Sequence, residues 1–147
     1  MNCILLADTD FVNDSTARLT GRRFDHVRAV HRSAVGDSLR VGREGSLLGT
    51  GTITRVESHC LEMTVELNTA PPPALPLTLI LSLPRPKSLR KALHVATTMG
   101  VKHIHIINSH RVEKSYWHSP KLSEASIREV LVLGLEQTVD TVVPAVH

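Results

Sequence analysis

Aromatic side chains are scarce in this chain: one Trp, one Tyr and two Phe among 147 residues. Cysteine is scarcer, with Cys3 and Cys60 alone. Two thiols make no disulfide framework and fit reduced side chains in a cytoplasmic protein. Long apolar runs are missing: Leu77 to Leu83 is among the longest, far short of the roughly 20 residues of a membrane helix. The amino-terminal MNCILLADTD has no basic segment and turns acidic at Asp8, which argues against a signal peptide. There is no Gly-x-Ser-x-Gly elbow, no Walker loop and no Gly-x-Gly-x-x-Gly loop, and neither cysteine has a histidine partner evident in sequence. What remains is an ordinary globular composition, 41% hydrophobic and 21% charged, long enough for one full core or two small ones.

The net charge of +3 conceals an asymmetry. Residues 15–43 hold seven arginines (18, 22, 23, 28, 32, 40 and 43) against Asp25 and Asp37. Residues 71–120 hold seven Lys and Arg against Glu113 alone. Two basic patches suggest a polyanionic partner; the alternative is a pair of solvated basic faces.

The run Pro71-Pro72-Pro73-Ala74-Leu75-Pro76 cannot continue a helix or a central strand, so residues 71–76 read as a stiff linker. Before it, residues 1–70 read mostly as strands. Leu61, Met63, Val65 and Leu67 alternate with Glu62, Thr64, Glu66 and Asn68, the period of a half-buried strand. Ser38–Arg43 and Leu48–Val56 are two more, and a short helix is expected over Asp25–His31, giving a small β-barrel. After the linker, residues 77–147 change period. Leu77–Leu83 reads as a strand buried on both faces, Pro84–Lys87 as a loop and Ser88–Met99 as a helix stopped by Gly100. Val101–Asn108 reads as the next strand, and Ser123 caps a second helix to about Val139. A third strand is expected from Thr141. The fold class is therefore α+β in two domains, with an α/β sheet that looks unfinished. The apolar positions Leu79, Leu81, Ile104 and Ile106 are expected to lack neighbours there, a hazard for self-association and a possible dimer edge.

His103 and His105 alternate on one strand face and His110 follows, but no Cys or carboxylate sits at ligand spacing, so no metal site is assigned. In Arg22-Arg23-Phe24-Asp25-His26-Val27-Arg28-Ala29-Val30-His31-Arg32, helical spacing makes Arg28 and Arg32 i,i+4 neighbours. Like charges so placed cost stability, and a phosphate between two guanidinium forks would relieve it; a solvated basic helix face is the competing reading.

His26-Val27-x-x-Val30-x-Arg32 followed by Gly36-Asp37-x-Leu39-x-Val41 resembles the PUA-like domain of the RsmE-type methyltransferases, which methylate uridine N3 in 16S ribosomal RNA. The resemblance continues through Leu83-Pro84-Arg85-Pro86-Lys87, Met99-Gly100-Val101-Lys102, Asn108-Ser109-x-Arg111-Val112-Glu113-Lys114-Ser115-Tyr116-Trp117, Glu136-Gln137 and Pro144. It implies a PUA-like barrel plus the first half of a SPOUT-type domain, Rossmann-like and knotted when complete. The family's S-adenosylmethionine site and much of its dimer interface lie in the knot, which this similarity places beyond residue 147. The chain is thus expected to be a fragment, inactive alone, of a cytoplasmic, homodimeric enzyme acting on the small ribosomal subunit. A non-catalytic RNA-binding module is the alternative if 147 residues is the whole protein. With RNA as the polyanion, the basic patches place its contacts at Arg22, Arg23, His26, Arg28 and Arg32 in the first half and at Arg85, Lys87 and Arg111 in the second, the Arg85 loop following the first strand of the α/β half. The resemblance names no general base, and Glu136 and Gln137 are read as bracing a helix against the sheet.

Overall fold

The computed structural model describes residues 2–31 and 34–147. The chain divides into two compact units: Asn2–Pro71 with Val139–Thr141, and Pro72–Thr138 with Val142–His147.

The first unit is one six-stranded sheet. Its strands are β1 (Ile4–Leu6), β2 (Phe11–Asn13), β3 (Thr16–Thr20), β4 (Ser38–Arg43), β5 (Leu48–Val56) and β6 (Cys60–Thr69), in the order β1-β4-β5-β6-β3-β2. Every pairing is antiparallel except β1 with β4. Period-two alternation builds the core, since Leu61, Met63 and Val65 face inward with Ala17, Leu19, Val41 and Ile53. The closed barrel expected from the sequence is not what the pairing shows: β1 and β2 stand at opposite ends of the sheet, unpaired with each other. The short helix also starts earlier than its apolar spacing indicated. Gly21, at φ +57°, turns the chain out of β3, and α1 runs from Gly21 to His26, with Val27–His31 continuing it as a π turn. Phe24 and Val27, three apart and 3% and 1% exposed, pin this segment to the core.

The second unit is a three-stranded parallel sheet, β7 (Thr78–Ser82), β8 (His103–Ile107) and β9 (Ala145–Val146), in chain order. Helix α2 (Pro86–Thr98) connects β7 to β8, and α3 (Glu124–Thr138) precedes β9. Pro86 occupies the first helical position, where its fixed φ suits the turn and its missing N–H costs nothing. The helix therefore begins inside the expected loop, with Arg85 as its N-cap residue. Ser123 Oγ accepts from the Ser126 N–H at 3.3 Å, as a cap of α3 should.

Leu83, Leu89, Leu93, Ala96, Val101, Ile104, Val130 and Leu131 form the core, with Leu79, Leu81 and Ile106 packed against it. The latter three and Ile104 consequently have neighbours, contrary to expectation. The apolar residues left in solvent are their alternates: Ile80 is 66% exposed and Ile107 42%. β7 is an edge strand with one bare face, so its continuous apolar run did not signify burial on both sides. Gly134 of α3 fits directly against α2: a Cβ there would lie 2.8 Å from Thr97 Cβ and 2.9 Å from its Cγ2.

After α3 the chain returns to the first unit. Val139 takes φ +61°, a left-handed conformation unfavourable for a β-branched residue. Thr141, fully buried, then accepts from the Gly45 N–H at 2.8 Å and donates its hydroxyl to the Ser46 carbonyl. The expected third strand at Thr141 is accordingly displaced to Ala145–Val146, where only two residues pair with β8.

Candidate functional site

Charge counted along the sequence overstates the first basic patch, because carboxylates from other parts of the chain neutralise some of it. Arg18 holds Glu62 through Nε and Nη2 at 2.9 and 2.7 Å. Arg43 holds Asp8 at 2.8 Å and lies 4.8 Å over the Phe11 ring. Arg23 grips Asp10 with both Nη atoms at 2.6 Å and donates to the Leu5 carbonyl at 2.7 Å. That fork ties α1 to the turn after β1, so the Arg23 guanidinium is engaged within the fold. Arg22 and Arg28 are exposed, Arg28 donating to the Ser58 carbonyl at 3.4 Å, while His26 is half-buried. Arg32 lies outside the described residues. Moreover, the π winding of Val27–His31 shifts hydrogen bonding from four residues to five, so α-helical i,i+4 spacing does not apply to this segment.

The second patch keeps more of its charge. Arg90 pairs with Glu129 at 3.2 Å, and the buried Lys102 donates to the Val142 carbonyl at 2.7 Å. Arg85, Lys87 and Arg111 remain exposed, and among the described residues no carboxylate forms an ion pair with them. The fold brings them to one end of the unit, the carboxyl ends of β7 and β8, where open parallel sheets present ligands. Ser82 closes β7 and Ser109 follows β8; their hydroxyls meet at 2.6 Å, and the Leu83 N–H donates to the Ile107 carbonyl at 2.9 Å. The two loops leaving these strands carry the cations, Arg85 three residues after Ser82 and Arg111 two after Ser109. Trp117, in the 3-10 turn Lys114–His118, donates Nε1–H to Asn108 Oδ1 at 3.4 Å. Asn108, Ser109 and Trp117 stand in a sequence motif that gives them no role, and Ser82 stands outside the sequence-predicted site residues. Serine at a strand end carries no signal until its partner strand is known.

Other candidates do not converge. His105 stacks on His147 with centroids 4.8 Å apart, and among the described residues no group of three or more His, Cys, Asp or Glu could hold a metal ion. Partial burial, together with Glu57 Oε2 at 3.4 Å, pushes the Cys60 thiol above its ordinary pKa, which disfavours the nucleophilic thiolate. Glu136 is buried in α3, whereas Gln137 is exposed. A cleft of about 380 Å³ has largely apolar walls, Ile127, Leu131, Val143 and Pro144 among them, with Glu124 and Arg128 also in its lining. The glycines of this unit, Gly100 and Gly134, stand at the end of α2 and within α3, not at a strand end where they could cradle a cofactor. Among the described residues, no helix is long and apolar enough to cross a membrane.

Residues 71–147 match the family model for the RNA methyltransferase domain. The chain is 25% identical to the ribosomal RNA small subunit methyltransferase E of Treponema pallidum (strain Nichols) over 148 residues, covering 99% of this chain and 56% of that protein. It superimposes on the crystal structure of a ribosomal RNA small subunit methyltransferase E from Neisseria gonorrhoeae bound to S-adenosyl methionine, with a TM-score of 0.77 at 21% identity, over 100% of this chain and 60% of the other. A predicted RNA methyltransferase from Thermotoga maritima gives 0.73 at 14% identity, over 99% and 63%. The chain spans little more than half the length of these relatives.

Proposed function

The chain belongs to the RNA methyltransferase domain family, and on that premise we propose that it is the RNA-gripping and nucleotide-positioning part of an enzyme that methylates uridine N3 in 16S ribosomal RNA with S-adenosylmethionine. The observation that carries the reading is the placement of Arg85, Lys87 and Arg111, all exposed and without ion pairs, around the Ser82–Ser109 pair at the carboxyl ends of β7 and β8. Guanidinium forks fit phosphate and carbonyl oxygens. Uracil N3 becomes a good nucleophile only when its imide proton leaves, and a cation at the flanking carbonyl oxygens stabilises the resulting anion. Arg85 and Arg111 would hold the target nucleotide's phosphate and reach its uracil oxygens, assisted by Lys87. We read the first unit as a PUA-like module that grips RNA through Arg22 and Arg28.

The methyl donor is held, in this reading, by residues outside this chain. The complete enzyme acts in the cytoplasm as a homodimer on the small ribosomal subunit. The printed names of the relatives support the ribosomal substrate, and the Neisseria protein's bound S-adenosyl methionine supports the donor. Salt-dependent binding of single-stranded 16S fragments tests the reading. Each lost phosphate contact flattens the slope of log affinity against log salt by about 0.7. Replacing Arg85 and Arg111 together with Ala should therefore remove about 1.4 from the slope. An unchanged slope refutes the site. Saturable binding of S-adenosylmethionine to the 147-residue chain in calorimetry would refute the placement of the donor.

A further inference from the structure

We propose that Trp117 is a stacking platform for one unpaired base of single-stranded RNA, set beside the Ser82–Ser109 pair; this rests on the RNA reading above and specifies what the site takes.

The other aromatic residues have evident roles. Phe24 is 3% exposed in the core, Phe11 lies beneath Arg43, and Tyr116 packs against the core of the α/β unit. Trp117, the sole tryptophan of the chain, is left 39% exposed. Taking about 250 Å² for a whole side chain, that is on the order of 100 Å² of indole facing water. The ring is nonetheless positioned. Its Nε1–H reaches Asn108 Oδ1, and the turn that carries it is closed by the Tyr116 N–H to the Glu113 carbonyl at 3.0 Å and the Ser119 N–H to the Tyr116 carbonyl at 3.1 Å. Tyr116, packed inward, anchors that turn, so the neighbouring indole presents an apolar surface from a fixed base.

The surroundings select the occupant. Asn108 leads directly to Ser109 and its 2.6 Å contact with Ser82. Three residues beyond Ser82 comes Arg85, within about 11 Å even for extended backbone. Across residues 85–121 the sole carboxylate side chain is Glu113, among Arg85, Lys87, Arg90, Lys91, Lys102, Arg111, Lys114 and Lys121. An exposed aromatic face among cations suits a partner that alternates flat rings with negative charge. An unpaired nucleotide does so: the base offers its π face to the indole and its phosphate to Arg85 or Arg111. A duplex does not, because its bases are stacked on one another and only its phosphates are available.

The single tryptophan makes the test direct. Indole fluorescence of the unaltered chain is followed during titration with a uridine hexanucleotide and with a duplex of equal length, while anisotropy of a label on each RNA reports binding independently. The single strand is expected to quench Trp117 saturably, and the duplex to bind without quenching. Trp117→Ala should weaken the single strand about 5- to 150-fold, the range that base–aromatic stacking supplies, and Trp117→Phe should recover most of the loss. Duplex binding should not change. If the labelled single strand binds the unaltered chain without quenching, or binds folded Trp117→Ala as tightly, the platform is refuted while the RNA reading stands. If neither RNA binds the unaltered chain, both fall. The quenching arm needs no variant and so decides even if Trp117→Ala fails to fold.

Discussion

Replacing Gly134 with Ala sets helix propensity against packing, and the structure decides the sign. Alanine inside a helix is favoured over glycine by about 1 kcal/mol. At Gly134 the new methyl would lie 2.8 Å from Thr97 Cβ, 2.9 Å from Thr97 Cγ2 and 3.3 Å from the His94 carbonyl oxygen. Thr97 cannot swing aside: it is fully buried, its hydroxyl donates to the Leu93 carbonyl at 2.8 Å, and its Cβ is fixed by the backbone of α2. Contact at ordinary van der Waals distance needs the helices to separate by roughly 0.5–1 Å. A gap of that size forfeits a quarter to a half of the dispersion well for the atoms it parts, here those of Leu93, Val130 and Leu131. Overpacking costs about 1–3 kcal/mol, and a neighbour as fixed as Thr97 places this site in the upper part of that range, about 2–3 kcal/mol. The net loss is therefore about 1–2 kcal/mol. At about 4 °C per kcal/mol for a chain of this size, Tm should fall by about 4–8 °C in a calorimetric scan. A rise in Tm, as propensity alone requires, would refute the close packing of α2 on α3.

Arg23→Ala should lower stability to urea by about 2–3 kcal/mol, because it strands the mostly buried Asp10 carboxylate; RNA affinity of the folded fraction should stay the same, and a selective loss of affinity would place Arg23 in the RNA site. Val139→Gly should raise Tm by about 2–4 °C by relieving the φ of +61°; a drop would mean that the valine side chain outweighs the strain. The Cys60 thiol, held above its ordinary pKa in the folded state, should react with iodoacetamide along a pH profile displaced upward from a free thiol. Glu57→Gln should move that profile partly back. The sign also governs stability: the folded state binds this proton more tightly, so the contribution is present below the unfolded pKa and is lost as pH rises through the folded one. A Cys60 profile matching a free thiol would contradict the burial and the Glu57 contact.

Legibility in the sequence followed the range of the interactions. The alternation of Leu61, Met63 and Val65 marks β6 because a half-buried strand writes its own period, and Gly100 and Ser123 bound their helices through local geometry. β1 was not legible: three residues, Ile4–Leu6, become a strand by pairing parallel with Val41–Arg43, far along the chain. Leu77–Leu83 misled for the same reason, since whether Ile80 is covered depends on what lies over the sheet. The candidate site was half legible. Arg85, Lys87 and Arg111 were found as charge and motif, but only the fold separates Arg23, paired with Asp10, from arginines open to a ligand. The Ser82–Ser109 contact joins residues 27 apart and has no local signature.

The return of Val139–Thr141 to the first unit bears on the order in which the protein is made. Its sheet strands have all been synthesised once Thr69 is added, yet the Gly45 N–H and Ser46 carbonyl wait for Thr141. Roughly 70 more residues must be translated first, which at about 5–20 residues per second is some 4–14 s. During that time the turn between β4 and β5 rests against water. Its final partner emerges only after α2, β8 and α3, so a nascent chain stalled before residue 139 carries the whole six-stranded sheet without its last fastening.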